Sequence, residues 1–275
     1  MKTPGSFSIV GEVFGAPMAE FTNLVIGTLV LRPYVFLFLA VYLVAATRDW
    51  GLRRALAFTG WAWAVAFLAE YSSTRNGFPF GLYHYTQTTR GQELFLANVP
   101  AMDSLSFTFL AYASFALARL LLERSRGVAV VFLSGLLMML LDVVIDPVAV
   151  RGDRWFLGRI FYYAEGGVYF GVPLSNFLGW ALVGWIVVGG FSGFSRFTEG
   201  ARRPFLGAGL YYGVLAFNLA VTWWIGEPLL LAVGLILHAA LLTVIWFSRS
   251  SAGLARAALG GGIGRGAEPP SEARV

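Results

Sequence analysis

VAVVFLSGLLMMLLDVVID, residues 128–146, admits one reading: a helix that crosses a membrane. Nothing in it is charged before Asp142, and its length falls within the roughly 17–25 residues that a bilayer-spanning helix requires. Six further runs have the same character: Leu24–Ala46, Ala55–Ser72, Phe95–Ala118, Gly171–Phe191, Pro204–Trp224 and Pro228–Phe247. The 275-residue chain is 57% hydrophobic and 13% charged, with a mean hydropathy of +0.70. Soluble domains carry about 25% charged residues, so half the usual charge has to solvate this surface. The expectation is an all-α polytopic bundle of about seven transmembrane helices, one integral membrane domain over residues 1–252.

The flanks add little. Residues 1–23 lack the basic start and compact apolar core of a signal peptide. The stretch from Gly253 to Val275 is rich in Gly, Ala, Pro and charge, and is expected to be a disordered cytoplasmic tail. Its Gly260–Gly266 segment does not spell the G-x-G-x-x-G of a dinucleotide site and follows no strand.

The net charge of +5 comes from arginines set between apolar runs, where they act as topology signals and do not form a nucleic-acid surface. Arg48, Arg53 and Arg54 follow the first run, Arg119, Arg124 and Arg126 the third, and Arg196, Arg202 and Arg203 the fifth. The tail adds more, and the opposite connections are poorer in them. The positive-inside rule then puts the N-terminus outside and the C-terminus in the cytoplasm. The outward connections, 73–94 and 147–170, are long, aromatic and glycine-rich, the kind of segment that carries sites over a rigid scaffold.

Composition also restricts the chemistry. With no cysteine there is no disulfide, thiolate ligand or thiol nucleophile. Two histidines, His84 and His238, are too few for a multi-histidine iron centre. The single lysine, Lys2, leaves no span able to hold a retinal-type Schiff base.

What stands out is acid within the membrane. A carboxylate at mid-bilayer costs about 2.5–3.5 kcal/mol on insertion scales, so each one is a functional candidate. Glu70 ends the second run, Asp103 opens the third, and Asp142 and Asp146 close the fourth. Asn176, Asn218 and Thr222 fall at similar depth, so a shared cavity in the outer half is expected. Asp142 and Asp146, four apart, share a helical face. Paired carboxyls in apolar surroundings disfavour double ionisation, and a retained proton makes a general acid. The plainer readings are that Asp146 ends its helix before Pro147, and that Glu70 or Asp103 pairs with Arg32 or Arg75 in a structural salt bridge. His238 reads as a packing residue, His84 as a proton carrier or a solvated side chain, and Gly209 with Gly213 as a close-packing pair.

Several stretches together resemble a known family. Glu70-Tyr71, Gly77-Phe-Pro-Phe-Gly-Leu-Tyr-His-Tyr85, Val99-Pro100, Leu141-Asp-Val-Val-Ile-Asp-Pro-Val-Ala149 and Tyr169-Phe-Gly-Val-Pro-Leu-Ser-Asn-Phe-Leu-Gly-Trp180 are similar to blocks of the CruF-type carotenoid 1,2-hydratases. Phe170 departs from the tyrosine usual there. The likeness covers residues 60–180 well and the rest by hydropathy.

It implies addition of water across the terminal C1–C2 (or C1′–C2′) bond of lycopene, γ-carotene or a similar carotenoid. The implied product is a tertiary 1-hydroxy end group, made without metal or redox cofactor. Asp142 or Asp146 would supply the proton, and Glu70 or Asp103 would activate the water. Phe80, Tyr83, His84, Tyr85, Asn176, Trp180 and Asn218 would line the substrate site. The implied partners are the carotenoid, membrane lipid and other carotenoid-biosynthesis enzymes, in a bacterial or archaeal inner membrane. A carboxylate-driven transporter, a metal-dependent prenyl transferase built on Asp142-x-x-x-Asp146, and a scaffold for pigment enzymes remain as alternatives.

Overall fold

A computed structural model describes residues 18–124, 126–194 and 204–260. The N-terminal segment up to residue 17, the connection 195–203 with its three arginines, and the end of the tail from residue 261 lie outside the described residues. Helices dominate: α1 (Met18–Leu31), α2 (Pro33–Trp50), α3 (Leu52–Asn76), α4 (Ala101–Leu122), α5 (Val128–Ala149), α6 (Leu174–Phe194), α7 (Phe205–Trp224) and α8 (Pro228–Gly260). Four short strands stand between them: β1 (Tyr83–Tyr85), β2 (Phe95–Leu96), β3 (Val99–Pro100) and β4 (Phe161–Tyr163). Residues up to Gly234 form one compact unit and those from Leu235 a second, which holds the outer length of α8 with its tail residues 253–260 still helical.

Among the described residues, α4, α5, α6 and α7 are long and apolar enough to cross a membrane, and α1 with α2 counts as a fifth crossing when the pair is taken together. This is a helical integral membrane protein. The expected second and seventh spans do not meet that measure: α3 is less apolar, with Thr, Gly, Trp and Ser around Glu70, and the apolar part of α8 is the shorter stretch Pro228–Val244.

Prolines redraw several boundaries. The first run, read as one span over Leu24–Ala46, is broken at Arg32, and its halves meet at 89°. Pro33 lacks an N–H and restricts the residue before it, so α1 cannot continue into α2. The third run starts later than Phe95: β2 pairs with β3 in a small hairpin, and Pro100 delays α4 to Ala101. Likewise α6 begins after Pro173, where Gly171 at φ +90° turns the chain. Pro147 acts in the opposite sense, because α5 does not stop at Asp146 and runs to Ala149. Pro147 leaves the Val143 carbonyl without its helical N–H, while the open carbonyls at the helix end are taken up by Arg151 Nη1 on Pro147 O (2.8 Å) and Trp155 Nε1 on Val148 O (3.1 Å).

At the centre lies α4, in contact with α2, α3, α5, α6 and α7, and everything from Phe107 to Arg119 on it is buried. Glycine sets the closest helix approach. A Cβ on Gly184 would sit 2.9 Å from Gly135 Cα, which brings α6 hard against α5. On α7 the close contact is at Gly207, whose Cβ would fall 2.4 Å from Ala116 Cβ, and not at Gly209 and Gly213, which face open space. Two residues along a helix is a rotation of about 200°, which puts the G-x-x-x-G pair on the outward side.

Candidate active site

The two long connections expected to carry the site are stitched together by a strand pair. Tyr83, His84 and Tyr85 of β1 lie opposite Tyr163, Tyr162 and Phe161 of β4. Alternation along a strand sends neighbouring side chains to opposite faces. Tyr83, Tyr85, Phe161 and Tyr163 are buried against the helices, while His84 is turned to the other face and packs on Tyr162 at 5.8 Å. His84 therefore does not join the chamber in which it was expected.

Beneath this sheet is a cavity of about 140 Å³. Glu70, Asp103 and Asp146 line it, from three different helices, as do Asn176 of α6 and Asn218 of α7. Asp142 does not. It is fully buried one layer behind, joined to the cavity through Asn176, whose Nδ2 donates to Asp142 Oδ2 (2.6 Å) and to Asp146 Oδ2 (2.8 Å). The helical spacing brings the two aspartates to one face as expected, but only the one nearer the helix end reaches the hollow. Tyr163 donates a further hydrogen bond to Asp146 Oδ2 (3.2 Å), and Asp142 Oδ1 has no hydrogen-bond partner among the described residues.

Glu70 forms the other polar station. Its Oε1 accepts from Tyr85 Oη (2.9 Å), and its Oε2 from Ser104 Oγ. The salt bridges weighed for Glu70 and Asp103 are not formed. Arg32, at the break between α1 and α2, is paired in a buried fork with Glu93 (2.7 and 3.1 Å), and Arg75 lies 3.2 Å above the Tyr71 ring and donates to Asn98. Burial first, then the nearby Glu70 carboxyl, pushes the Tyr83 and Tyr85 phenols well above their usual range. Burial and Asp146 do the same to Tyr163. All three are hydrogen-bond donors at any ordinary pH.

The rest of the wall is aromatic. Trp180 stacks on Phe107 with centroids 4.1 Å apart and planes 7° from parallel, and Phe80 tilts against both. A Cβ at Gly179 would meet Phe80 Cδ1 at 2.6 Å and Pro79 O at 2.7 Å, so glycine is what lets the 79–80 segment settle on α6 beside Trp180. The hollow is also lined by Tyr34 of α2, which stacks on Phe217 of α7 (5.2 Å), with Phe38 and Trp155 close by.

A family model described as "Carotenoid biosynthesis protein" matches residues 30–241, a stretch that contains every residue of the chamber. The chain belongs to the carotenoid biosynthesis protein family. It is 32% identical over 254 residues to the bisanhydrobacterioruberin hydratase of Haloarcula japonica, an alignment covering 84% of this chain and 80% of that one. Membership bears out the resemblance to the CruF-type hydratases read from residues 60–180. No solved structure matches the chain.

In this carotenoid biosynthesis protein several chamber residues escape a reading by motif. Ser104 follows Asp103 directly, yet it is Ser104 that bonds Glu70. Tyr163 and Phe161 sit in one of the aromatic outward connections, and only the pairing of β4 with β1 brings them onto the hollow. Phe107 had a legible signal, being one turn beyond Asp103 on the same face. Tyr34, Phe38 and Phe217 had none, since aromatic residues in apolar helices are common.

Proposed function

We propose that this chain hydrates carotenoids: it adds water across the terminal C1–C2 (or C1′–C2′) double bond of an acyclic end group, as in lycopene or γ-carotene, by acid catalysis. The observation that carries the reading is two hydrogen-bonded carboxyl stations, Asp146 with Asn176 and Tyr163, and Glu70 with Tyr85 and Ser104, on one aromatic-walled hollow. Asp146 gives its proton to C2, leaving a tertiary cation at C1. The faces of Trp180, Phe107 and Phe80 stabilise that cation as aromatic rings stabilise other cations. Water held at Glu70, with Asp103 beside it, attacks C1 and passes a proton to the carboxylate, and the tertiary alcohol leaves. Asp142 acts through Asn176, keeping the shared amide and hence Asp146 in place.

Location supports the same reading. A carotenoid is about as long as the hydrocarbon core is thick, ~30 Å, and is delivered through lipid. The hollow suits the end of such a molecule with a water, since a cavity measured this way needs only about 10–15 Å³ to hold one. The reaction calls for carotenoid, water and membrane lipid alone, and enzymes that make or consume the product are its natural neighbours. All seven apolar runs cross the membrane in this reading, with the hollow toward the outer leaflet.

The test is expression in cells that accumulate lycopene or γ-carotene, followed by mass analysis. A gain of one water, labelled when the medium contains labelled water, is expected. An unchanged pigment, or oxygen drawn from O2, would overturn the reading.

A further inference from the structure

Acid-catalysed hydration leaves a proton in the wrong place. Asp146 loses one to C2 and Glu70 gains one from water, so each turnover ends with the two stations reversed. Something must carry a proton back before the next carotenoid reacts.

Between the stations stand three phenols held by the two-stranded sheet. Tyr85 is hydrogen-bonded to Glu70 at 2.9 Å, and Tyr163 donates to Asp146 at 3.2 Å. Tyr83 sits between them: its ring lies 5.4 Å from that of Tyr85, and it is the register partner of Tyr163, ring to ring at 5.8 Å. All three line the same cavity and are buried, at 5% exposure for Tyr83 and 8% for each of the others. The alternation of β1 accounts for the set, since residues 83 and 85 face inward and His84 outward.

We propose that Tyr85, Tyr83 and Tyr163 form a proton-return chain from Glu70 to Asp146, and that pairing β1 with β4 serves to build it. The proposal rests on the hydration reading and deepens it. The protonated Glu70 gives its hydrogen to Tyr85 Oη while the Tyr85 hydrogen, turned from Glu70, passes to Tyr83, directly or through one water in the hollow. The Tyr83 hydrogen passes to Tyr163, directly or through one water in the hollow, and the Tyr163 hydrogen passes to Asp146. Each oxygen gains one hydrogen and loses one, so every phenol ends as it began and no phenolate forms. Bridging by a single water is enthalpically close to a direct hydrogen bond.

Tyr83→Phe is the informative variant, since it keeps the ring and removes the middle hydroxyl. In membranes with excess carotenoid, product formation followed on the time scale of single turnovers should change shape. A burst of one product per protein should be followed by a steady rate about tenfold or more lower, each lost tenfold being 1.4 kcal/mol of barrier. Phe161→Leu, which perturbs the sheet without touching a hydroxyl, should not give this split. A second readout uses the unaltered protein: in deuterated water the later turnovers should slow more than the first. A steady rate in Tyr83→Phe equal to that of the unaltered protein would overturn the chain, as would a first turnover slowed as much as the later ones. Absence of any hydrated product from the unaltered protein would instead sink the hydration reading, and the return chain with it.

Discussion

Asn176 is the residue on which the acid station turns. One amide nitrogen serves both Asp142 and Asp146, so a change there disturbs two carboxyls at once. Asp146→Asn removes the group placed to protonate the alkene, and the proposed chemistry predicts a loss of about 10²–10⁴ in product formation. Asp142→Asn should also abolish product while the protein still inserts. Full activity in that variant would remove Asp142 from the mechanism, and pigment analysis beside an immunoblot of the membrane fraction separates the cases. Asp142 sets a limit on residue-level reading: spacing puts it on the face of Asp146, and only packing shows that it stops one layer short of the hollow.

Elements explain how the chamber is held open. Arg32 stands at the break between α1 and α2, Pro33 begins α2, and the guanidinium is buried in a fork with Glu93 from the connection before α4. Breaking such a pair by removing one partner strands a buried charge, at a cost of about 3–5 kcal/mol. Glu93→Ala should therefore lower the thermal unfolding midpoint in detergent markedly, whereas an unchanged midpoint would show that the fork is dispensable. Gly179→Val should cost activity by another route, because its side chain would enter space held by Phe80 and Pro79. Product loss with the protein still folded is the expected pattern.

The turn between α7 and α8 is tied by Glu227 to Arg151 and Arg154. Burial alone would raise the Glu227 carboxyl, but the two arginines outweigh it and hold it below the usual range. Its contribution to stability is therefore present at neutral pH and is lost as the pH falls through the folded-state value. Being partly exposed, the cluster is worth about 1 kcal/mol or less. A Glu227→Gln variant should accordingly show a shallower loss of stability on acidification, measured as unfolding midpoint against pH.

At the scale of the whole molecule, sidedness is the open arrangement to be tested, and the lack of cysteine makes the test clean. In the proposed topology Thr88→Cys, in the connection beside β1, reacts with a membrane-impermeant maleimide from outside intact cells. Leu52→Cys, at the start of α3, reacts only after the cells are opened. The reverse pattern would invert the bundle and place the hollow toward the cytoplasm.

Much of this protein is written locally. Long apolar runs, arginine clusters and four carboxylates out of place follow from the cost of charge in hydrocarbon, which is paid residue by residue and needs no partner to be seen. The break at Arg32, the late starts of α4 and α6 and the run of α5 past Pro147 were less legible, because a proline's effect depends on whether nearby carbonyls find donors. Sequence alone thus established the helical membrane class, the family likeness and which acids to watch. Tertiary structure decided which of them share the hollow, that Glu93 forms the fork with Arg32, and that two strands far apart in the chain set three phenols between two carboxyls. Those contacts join distant stretches through hydrogen bonds and register, and interactions of that kind leave no periodic trace along the chain.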